Sequence, residues 1–276
     1  MKSQQQTINF KLQMKIMNIL DTIIAQKKIE VEERKFKTPL SLLEQSVYFK
    51  RDILSLKKFL ADENRTGIIA EFKRKSPSKG WINADADAAI VTKAYADNGA
   101  SGLSVLTDEQ FFGGSFADLE KARINEVPVL RKDFMIDEYQ LTEAKSIGAD
   151  VILLIAANLT IDQVKQLARA ARNLGLEVLL EIHNEEELAH ICDEVDIVGV
   201  NNRNLKTFEV SIQTSIDLSA KIPADKFKIS ESGISDINTI LELKKHGFKG
   251  FLIGENFMKS TSPQIAFASF VKQLKG

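Results

Sequence analysis

Two lysines and two glutamates stand where short apolar runs give way to polar residues. Glu71 and Lys73 follow Ile68-Ile69-Ala70, Lys132 follows Val129-Leu130-Arg131, and Glu181 follows Val178-Leu179-Leu180. Asn201 follows Val198-Gly199-Val200 in the same way. A lysine ammonium can donate a proton or pair with an anion, and a glutamate can hold that cation or move a proton. Taken singly, each has a plainer reading. A lysine at the end of an apolar run is ordinarily a solvated loop residue, Glu181 alone could serve a structural ion pair, and Glu71 with Lys73 could be a salt link closing the fold. The case for catalysis rests on convergence, and so on the elements that carry these residues.

Those elements read as a repeating α/β pattern. From residue 67 onward, short β-branched apolar runs span 67–73, 102–106, 127–131, 150–155, 177–182, 195–200, 227–230 and 250–253. Amphipathic stretches at 88–97, 137–147, 161–174, 212–221 and 237–245 lie between them. Gly99-Ala100, Gly148-Ala149 and Gly247-Phe248 end helices ahead of strands. The strands are continuously apolar, as parallel strands covered on both faces must be. The spacing predicts an α/β chain folded as a single (β/α)8 TIM barrel, residues 67–276, preceded by an N-terminal helical extension, residues 1–66. A doubly wound open sheet is the alternative, but Glu71-Phe72-Lys73-Arg74-Lys75 has none of the glycines that its first loop would carry.

In a barrel, functional groups come from the C-terminal ends of several strands. Glu71, Lys73, Lys132, Glu181 and Asn201 would then meet on one rim, with Glu71 and Lys73 at alternate positions pointing into the mouth. Ser232-Gly233 after the seventh strand and Gly254-Glu255 after the eighth can offer backbone N–H groups to an anion, with short following helices adding their dipoles. Alone, each glycine pair could simply make a tight turn.

Other features narrow the class. The net charge of −1 gives no bias toward nucleic acid or anionic membrane. Residues 1–66 carry 13 Lys+Arg against 8 Asp+Glu, interspersed as on a solvated helical face. The lone cysteine, Cys192, is read as helical and excludes an internal disulfide. His183, His190 and His246 are read as non-ligands, so no metal site is expected. The longest apolar run, Val151 to Ala157, is too short to cross a bilayer, and the first ten residues lack a signal-like apolar region. A cytoplasmic setting is the default expectation. In the extension, Ile16, Ile19, Leu20, Ile23 and Ile24 recur at helical spacing. Thr38-Pro39 breaks that helix, and a second helix is expected to contain Leu42, Leu43, Val47, Phe49 and Ile53. The amphipathic extension needs an apolar surface, and is expected to lie over or beside the barrel mouth and help cover the substrate.

Together these segments resemble the indole-3-glycerol phosphate synthase family of tryptophan biosynthesis. The resemblance is carried by Ile69-Ala70-Glu71-Phe72-Lys73-Arg74-Lys75-Ser76-Pro77-Ser78, Leu130-Arg131-Lys132-Asp133-Phe134, Gly199-Val200-Asn201-Asn202-Arg203-Asn204-Leu205 and Glu231-Ser232-Gly233-Ile234. Leu106 to Ser115 also looks like the family's loop after the second strand. The resemblance implies ring closure of 1-(2-carboxyphenylamino)-1-deoxyribulose 5-phosphate with loss of carbon dioxide and water, without metal or organic cofactor. It implies Lys132 as general acid, Lys73 at the substrate carboxylate, Glu181 beside cationic intermediates, Glu71 orienting Lys73, and Asn201 orienting the polar chain. Ser76, Phe112, Phe134, Arg203, Leu205, Ser232 and Leu252 match substrate-binding positions, and Gly233, Gly254 and Glu255 match phosphate-binding ones. Glu255 stands where some relatives carry serine, so its backbone N–H is expected to bind while its side chain turns away. Asn202 stands where small polar residues are common. The implied partner is a small phosphorylated substrate, with no nucleic acid or membrane, and the protein is expected to be a monomer or weak oligomer. Room for only one helix after the last strand implies a monofunctional enzyme. Another phosphate-binding barrel such as phosphoribosylanthranilate isomerase, which would need a thiol and a carboxylate at the rim, is the alternative; a non-catalytic barrel scaffold is a third reading.

Overall fold

A computed structural model of the chain describes every residue except Met1, Leu205, Lys206 and Phe208; for residues 2–18 it describes the backbone alone. Eight parallel strands close into a barrel: β1 (Ile68–Phe72), β2 (Gly102–Leu106), β3 (Val129–Lys132), β4 (Val151–Ile155), β5 (Glu177–Ile182), β6 (Ile197–Asn201), β7 (Phe227–Glu231) and β8 (Gly250–Ile253). Each strand pairs with the next in sequence, and β8 pairs with β1. The (β/α)8 barrel expected from the strand spacing is therefore formed.

Strand alternation divides the core in two. Ile69, Leu130, Val151, Leu153, Leu179, Ile197, Ile229 and Leu252 point inward and fill the barrel. Ile68, Ala70, Leu103, Val129, Ile152, Val178, Val198 and Phe251 point outward, under the surrounding helices. This inward register matters for the site. Continued to the C-terminal ends, it reaches Glu71, Lys132, Glu181, Asn201 and Glu231.

Several boundaries differ from expectation, each for a local reason. β3 begins at Val129, because Pro128 has no N–H and offers only its carbonyl to Leu103 (2.8 Å). It runs on through Lys132. β6 begins at Ile197, because the Asp196 carboxylate accepts the Val178 N–H at 2.9 Å. β7 extends through Glu231, paired with Asn201 and Leu252. Cys192 lies beyond the 3-10 turn Glu186–His190, in the connection leading to the start of β6, and not in a helix.

The extension divides between the two ends of the barrel. Helix α1 (Lys2–Lys37) approaches the mouth, where the buried Lys27 ammonium pairs with Asp108 (2.8 Å) in the β2 loop and Asp133 (3.0 Å) in the β3 loop. The expected second helix is only α2 (Leu40–Leu43); Val47, Phe49 and Ile53 lie outside it. There Ser46 bonds to the Ser146 carbonyl and accepts the Tyr48 N–H (3.2 Å), and Arg51 pairs with Asp150 (2.5 Å), so side chains tied to the barrel replace helical geometry. Helix α3 (Leu56–Ala61) then closes the opposite end. Leu56 and Leu60 join the interior cluster, and Glu177 accepts from the Leu56 N–H (2.8 Å) and from Ser55 Oγ (2.5 Å). Only α1 thus lies toward the mouth; the later part of the extension plugs the bottom. No helix among the described residues is long and apolar enough to cross a membrane.

Leu56 is 1% exposed and lies at the end away from the rim. Leu56→Ala should cost about 2–5 kcal/mol in urea unfolding. The substrate KM should stay within about twofold, because the rim does not touch Leu56.

Candidate active site

The C-terminal rim gathers five ionisable side chains from the four odd-numbered strands. Lys132 Nζ lies 2.8 Å from Glu181 Oε2 and 2.7 Å from Glu231 Oε2. Beside them Lys73 Nζ pairs with Glu71 Oε1 at 2.7 Å. Asn201 Nδ2 donates to the other oxygen of Glu181 at 3.2 Å, and its own Oδ1 accepts the Arg203 N–H at 3.0 Å. The expected convergence of Glu71, Lys73, Lys132, Glu181 and Asn201 is thus realised in space.

Glu231 and His183 were not among the expected site residues. Glu231 is 2% exposed and shares the Lys132 ammonium with Glu181. Alternate barrel strands contribute to the same interior layer. β7 belongs with β1, β3 and β5, and that parity is the signal that could have found Glu231. His183 stands two residues beyond Glu181, as Lys73 stands beyond Glu71. Its Nε2 faces Glu181 Oε1 at 3.2 Å.

Close approach explains two glycines. A Cβ at Gly254 would lie 2.5 Å from Glu71 Oε1, and one at Gly199 would collide with Glu231 Oε1. Neither carboxylate could occupy its place if these strand-end residues had side chains.

Burial and mutual charge set the protonation states. Burial works against the charge on Lys132, but Glu181, Glu231 and Glu71 more than offset it and raise its pKa. Burial likewise disfavours ionised Glu181, yet Lys132 and His183 hold its pKa well below the usual carboxylate range. For Glu231 burial prevails over Lys132, with Glu181 and Glu71 adding repulsion, and its pKa is pushed up to about 7. The free site therefore holds a protonated lysine beside one firmly ionised carboxylate and one that titrates near neutrality.

A second charged network backs the rim. Arg131, fully buried, donates to Asp133 Oδ2 (3.0 Å) and Glu143 Oε2 (3.3 Å), and its Nε donates to Thr107 Oγ1 (3.1 Å). Thr107 donates in turn to Asp133 (2.7 Å), which also holds Lys27 of α1. Burial opposes the charge on Asp133, but Lys27 and Arg131 hold its pKa far below the usual range. The residue after Lys132 is thereby fixed by both the barrel and the extension.

The remaining expected positions surround this center. Phe112 and Phe134 face each other across the β2 and β3 loops, ring centroids 6.1 Å apart. Leu252 lies in the interior cluster against which Phe134 packs. Ser76 is buried in the β1 loop, within a small hairpin of Lys75–Ser76 and Gly80–Trp81. Ser232 and Gly233 both take positive φ, 65° and 74°, and Asn202 Nδ2 ties this turn down through the Ser232 carbonyl at 3.0 Å. Asn202, to which the sequence attached no consequence, thus holds the β7 loop. The Glu255 carboxylate pairs with Lys79 at 2.5 Å and approaches Arg203 at 3.9 Å. The helix Ile237–Lys245, which follows the β7 loop, has its first turn capped by Asp236, so the dipole expected there already has an anion. Leu205 lies outside the described residues. Among the described residues no three His, Cys, Asp or Glu side chains group as metal ligands.

A closed (β/α)8 barrel with lysine–glutamate pairs inside its mouth defines a class of barrel enzyme built for proton transfer at the strand ends. Comparison with known proteins narrows the class. The family model for indole-3-glycerol phosphate synthase matches residues 20–270. The indole-3-glycerol phosphate synthase of Bacteroides thetaiotaomicron is 48% identical over 259 residues, covering 94% of this chain and 99% of that protein. The Polaromonas sp. protein of the same name is 43% identical over 256 residues, covering 91% and 97%. The chain belongs to the indole-3-glycerol phosphate synthase family. Among solved structures, a chain from the tryptophan synthase complex of Pyrococcus furiosus superimposes with a TM-score of 0.58 at 17% identity, covering 77% of this chain and 98% of that one. The 3-hexulose-6-phosphate synthase of Salmonella typhimurium gives 0.58 at 14%, covering 75% and 99%. These last two bear on the fold alone.

With Glu231 titrating near neutrality, kcat/KM should rise as pH increases through about 7 if activity needs its ionised form, the form able to accept a proton. In Glu231→Gln that limb should vanish from the pH–rate profile and kcat should fall by about 10-fold or more. A limb that persists in the variant assigns it to another group.

Proposed function

We propose that this chain catalyses the indole-3-glycerol phosphate synthase reaction, converting 1-(2-carboxyphenylamino)-1-deoxyribulose 5-phosphate to indole-3-glycerol phosphate. The observation that carries this reading is the Lys132 ammonium between Glu181 and Glu231, at 2.8 and 2.7 Å, beside the Lys73–Glu71 pair.

The chemistry makes definite demands. The ring carbon bearing the carboxylate is a weak nucleophile and the ketone a weak electrophile. Their bond forms only as a proton meets the ketone oxygen, and Lys132, held protonated, supplies it. The ring is then left cationic, and the ionised Glu181 stabilises it. Lys73 pairs with the substrate carboxylate until the carbon–carboxylate bond breaks, its electron pair restoring the aromatic ring as carbon dioxide leaves. Water is lost next: the new hydroxyl takes a proton from Lys73, released when the carboxylate has gone, and departs, while a carboxylate removes a proton from the neighbouring ring carbon. Glu231, with its pKa about 7, suits the accepting role, and Glu71 orients Lys73. Asn201 fixes both Glu181 and the backbone at Arg203.

Around this center, Phe112, Phe134 and Leu252 give the aromatic ring apolar walls, with Ser76, Arg203, Leu205 and Ser232 completing the substrate contacts. The backbone at Gly233, Gly254 and Glu255 takes the phosphate. Two successive residues at positive φ, Ser232 and Gly233, turn N–H groups to one side, an arrangement that favours an anion. The Glu255 side chain, engaged with Lys79, is withdrawn from that role. Residues 1–66 act as an extension of the 67–276 barrel, α1 bracing the mouth. A cytoplasmic enzyme acting as a monomer or weak oligomer fits this reading. The isomerase alternative has no support at the rim, since Cys192 lies in the connection to the start of β6 and burial raises its thiol pKa.

Indole absorbance reports product formation directly. The wild-type chain should produce it from the carboxyphenylamino substrate, and Lys132→Met should lower kcat by about 10²-fold or more. Binding of an unreactive substrate analogue, followed by calorimetry, should change far less. Near-normal kcat in a folded Lys132→Met protein would move the acid role to Lys73.

A further inference from the structure

His183 carries chemistry that the roles above leave unused. It lies one interior-facing position beyond Glu181, and its side chain is only 6% exposed. Both ring nitrogens face carboxylates. Nδ1 is 3.2 Å from Glu187 Oε2, an oxygen that also accepts the His183 backbone N–H at 2.7 Å. Nε2 lies 3.2 Å from Glu181 Oε1, within ion-pair reach, and makes no hydrogen bond to any protein atom. Glu187 is itself fixed: its Oε1 accepts from Asn184 Nδ2 at 3.0 Å, and its N–H donates to Asn184 Oδ1 at 3.1 Å.

This geometry constrains the ring. A neutral imidazole carries one N–H and one lone pair. Either tautomer would turn that lone pair toward a carboxylate, in a setting where charge repulsion is weakly screened. The imidazolium has an N–H for each carboxylate. Its cation also meets Glu181 from the side opposite Lys132, so the carboxylate is gripped at both oxygens: Oε2 by Lys132 (2.8 Å), Oε1 by His183 and by Asn201 (3.2 Å).

We propose that His183 is a positioning residue for the reaction, its imidazolium anchored by Glu187 and holding the Glu181 carboxylate in the orientation that meets Lys132. The proposal rests on the reaction assigned above. Loss of the cation leaves Glu181 Oε1 held by Asn201 alone and removes a charge that keeps Glu181 ionised. The charged groups facing His183 directly are Glu181 of β5 and Glu187 of the following 3-10 turn; Lys132 of β3 and Glu231 of β7 lie one group further, beyond Glu181. Burial disfavours the imidazolium, but the two carboxylates prevail, and its pKa is pushed up to about 9. A group whose pKa is raised by anionic partners keeps its charge below that value and loses it above. Activity that needs the cation therefore falls on the alkaline side.

Two measurements on the intact chain test this. Imidazole 15N shifts, with His183 assigned by their loss in His183→Asn, should report a doubly protonated ring at pH 7.5. In parallel, the pH dependence of kcat should have an alkaline limb near pH 9 that follows the same titration. His183→Asn should lower kcat at pH 7.5 by about 10- to 100-fold with KM changed far less, and lack that limb. Glu187→Gln, which preserves volume and leaves the rim intact, should move the limb down by about one pH unit. A neutral His183 ring at pH 7.5, or an alkaline limb unmoved in both variants, overturns the proposal. A wild-type chain that makes no indole product overturns the assigned reaction instead, and the ring shifts still judge the charge of His183.

Discussion

Lys132 keeps a full charge inside a barrel whose neighbouring interior is Leu130, Leu179, Ile229 and Leu252. Removing such a cation from water costs several kcal/mol, which close and well-formed ionic contacts must offset. Glu181 supplies one contact from β5, the adjacent odd strand, and Glu231 the other from β7, across the barrel. Much else follows from making room for them. Gly199 is bare because Glu231 passes over it, and Gly254 because Glu71 does. Lys73 pairs with Glu71, while His183 and Asn201 both meet Glu181 Oε1, so the mouth holds Lys73, Lys132 and His183 against Glu71, Glu181 and Glu231. That near balance of charge lets one lysine stay protonated while one carboxylate, Glu231, titrates close to pH 7.

The rim is exact only if β3 is held still, and that task falls to groups outside the chemistry. Arg131 points away from the mouth into Asp133, Glu143 and Thr107. Lys27, from a helix about a hundred residues earlier in the chain, closes the network by pairing with Asp108 and Asp133. A buried pair of this kind is a poor source of net stability, since desolvation consumes most of its Coulombic gain. It is a good source of orientation, because breaking it strands a charge. The extension thereby acts at both ends of the barrel: Lys27 fixes the loop that follows Lys132, while Leu56 and Leu60 seal the opposite opening.

The barrel was legible from the alternation of apolar strands and helices, because parallel strands buried on both faces leave an unmistakable run of β-branched residues. The rim was legible where a charged residue followed such a run, as at Glu71, Lys132 and Glu181. Two signals of the same kind went unread. Glu231 lies beyond the apolar run, which ends at Ser230, although β7 belongs to the same layer as β3 and β5. His183 was weighed as a metal ligand, and its place two residues beyond Glu181 on an inward-facing register was not used. The extension misled for a different reason. Residues 44–55 have enough apolar side chains to look helical, but Ser46 and Arg51 spend their hydrogen bonds on the barrel, and no periodicity records a tertiary tie of that sort. Which carboxylate would dominate at Lys132 was likewise beyond the sequence, because it depends on distances of a few ångströms between strands far apart in the chain.

The central claim is that Lys132 rests as a protonated general acid because two carboxylates hold it so. Its ε-ammonium can be observed directly by NMR of the 15N-labelled free enzyme, with the resonance assigned through Lys132→Arg. Titration should find Nζ still largely protonated at a pH above the ordinary lysine pKa of about 10.4. An Nζ that is already a neutral amine at pH 7 to 8 would contradict the account, because the site would then have no proton to give at Lys132.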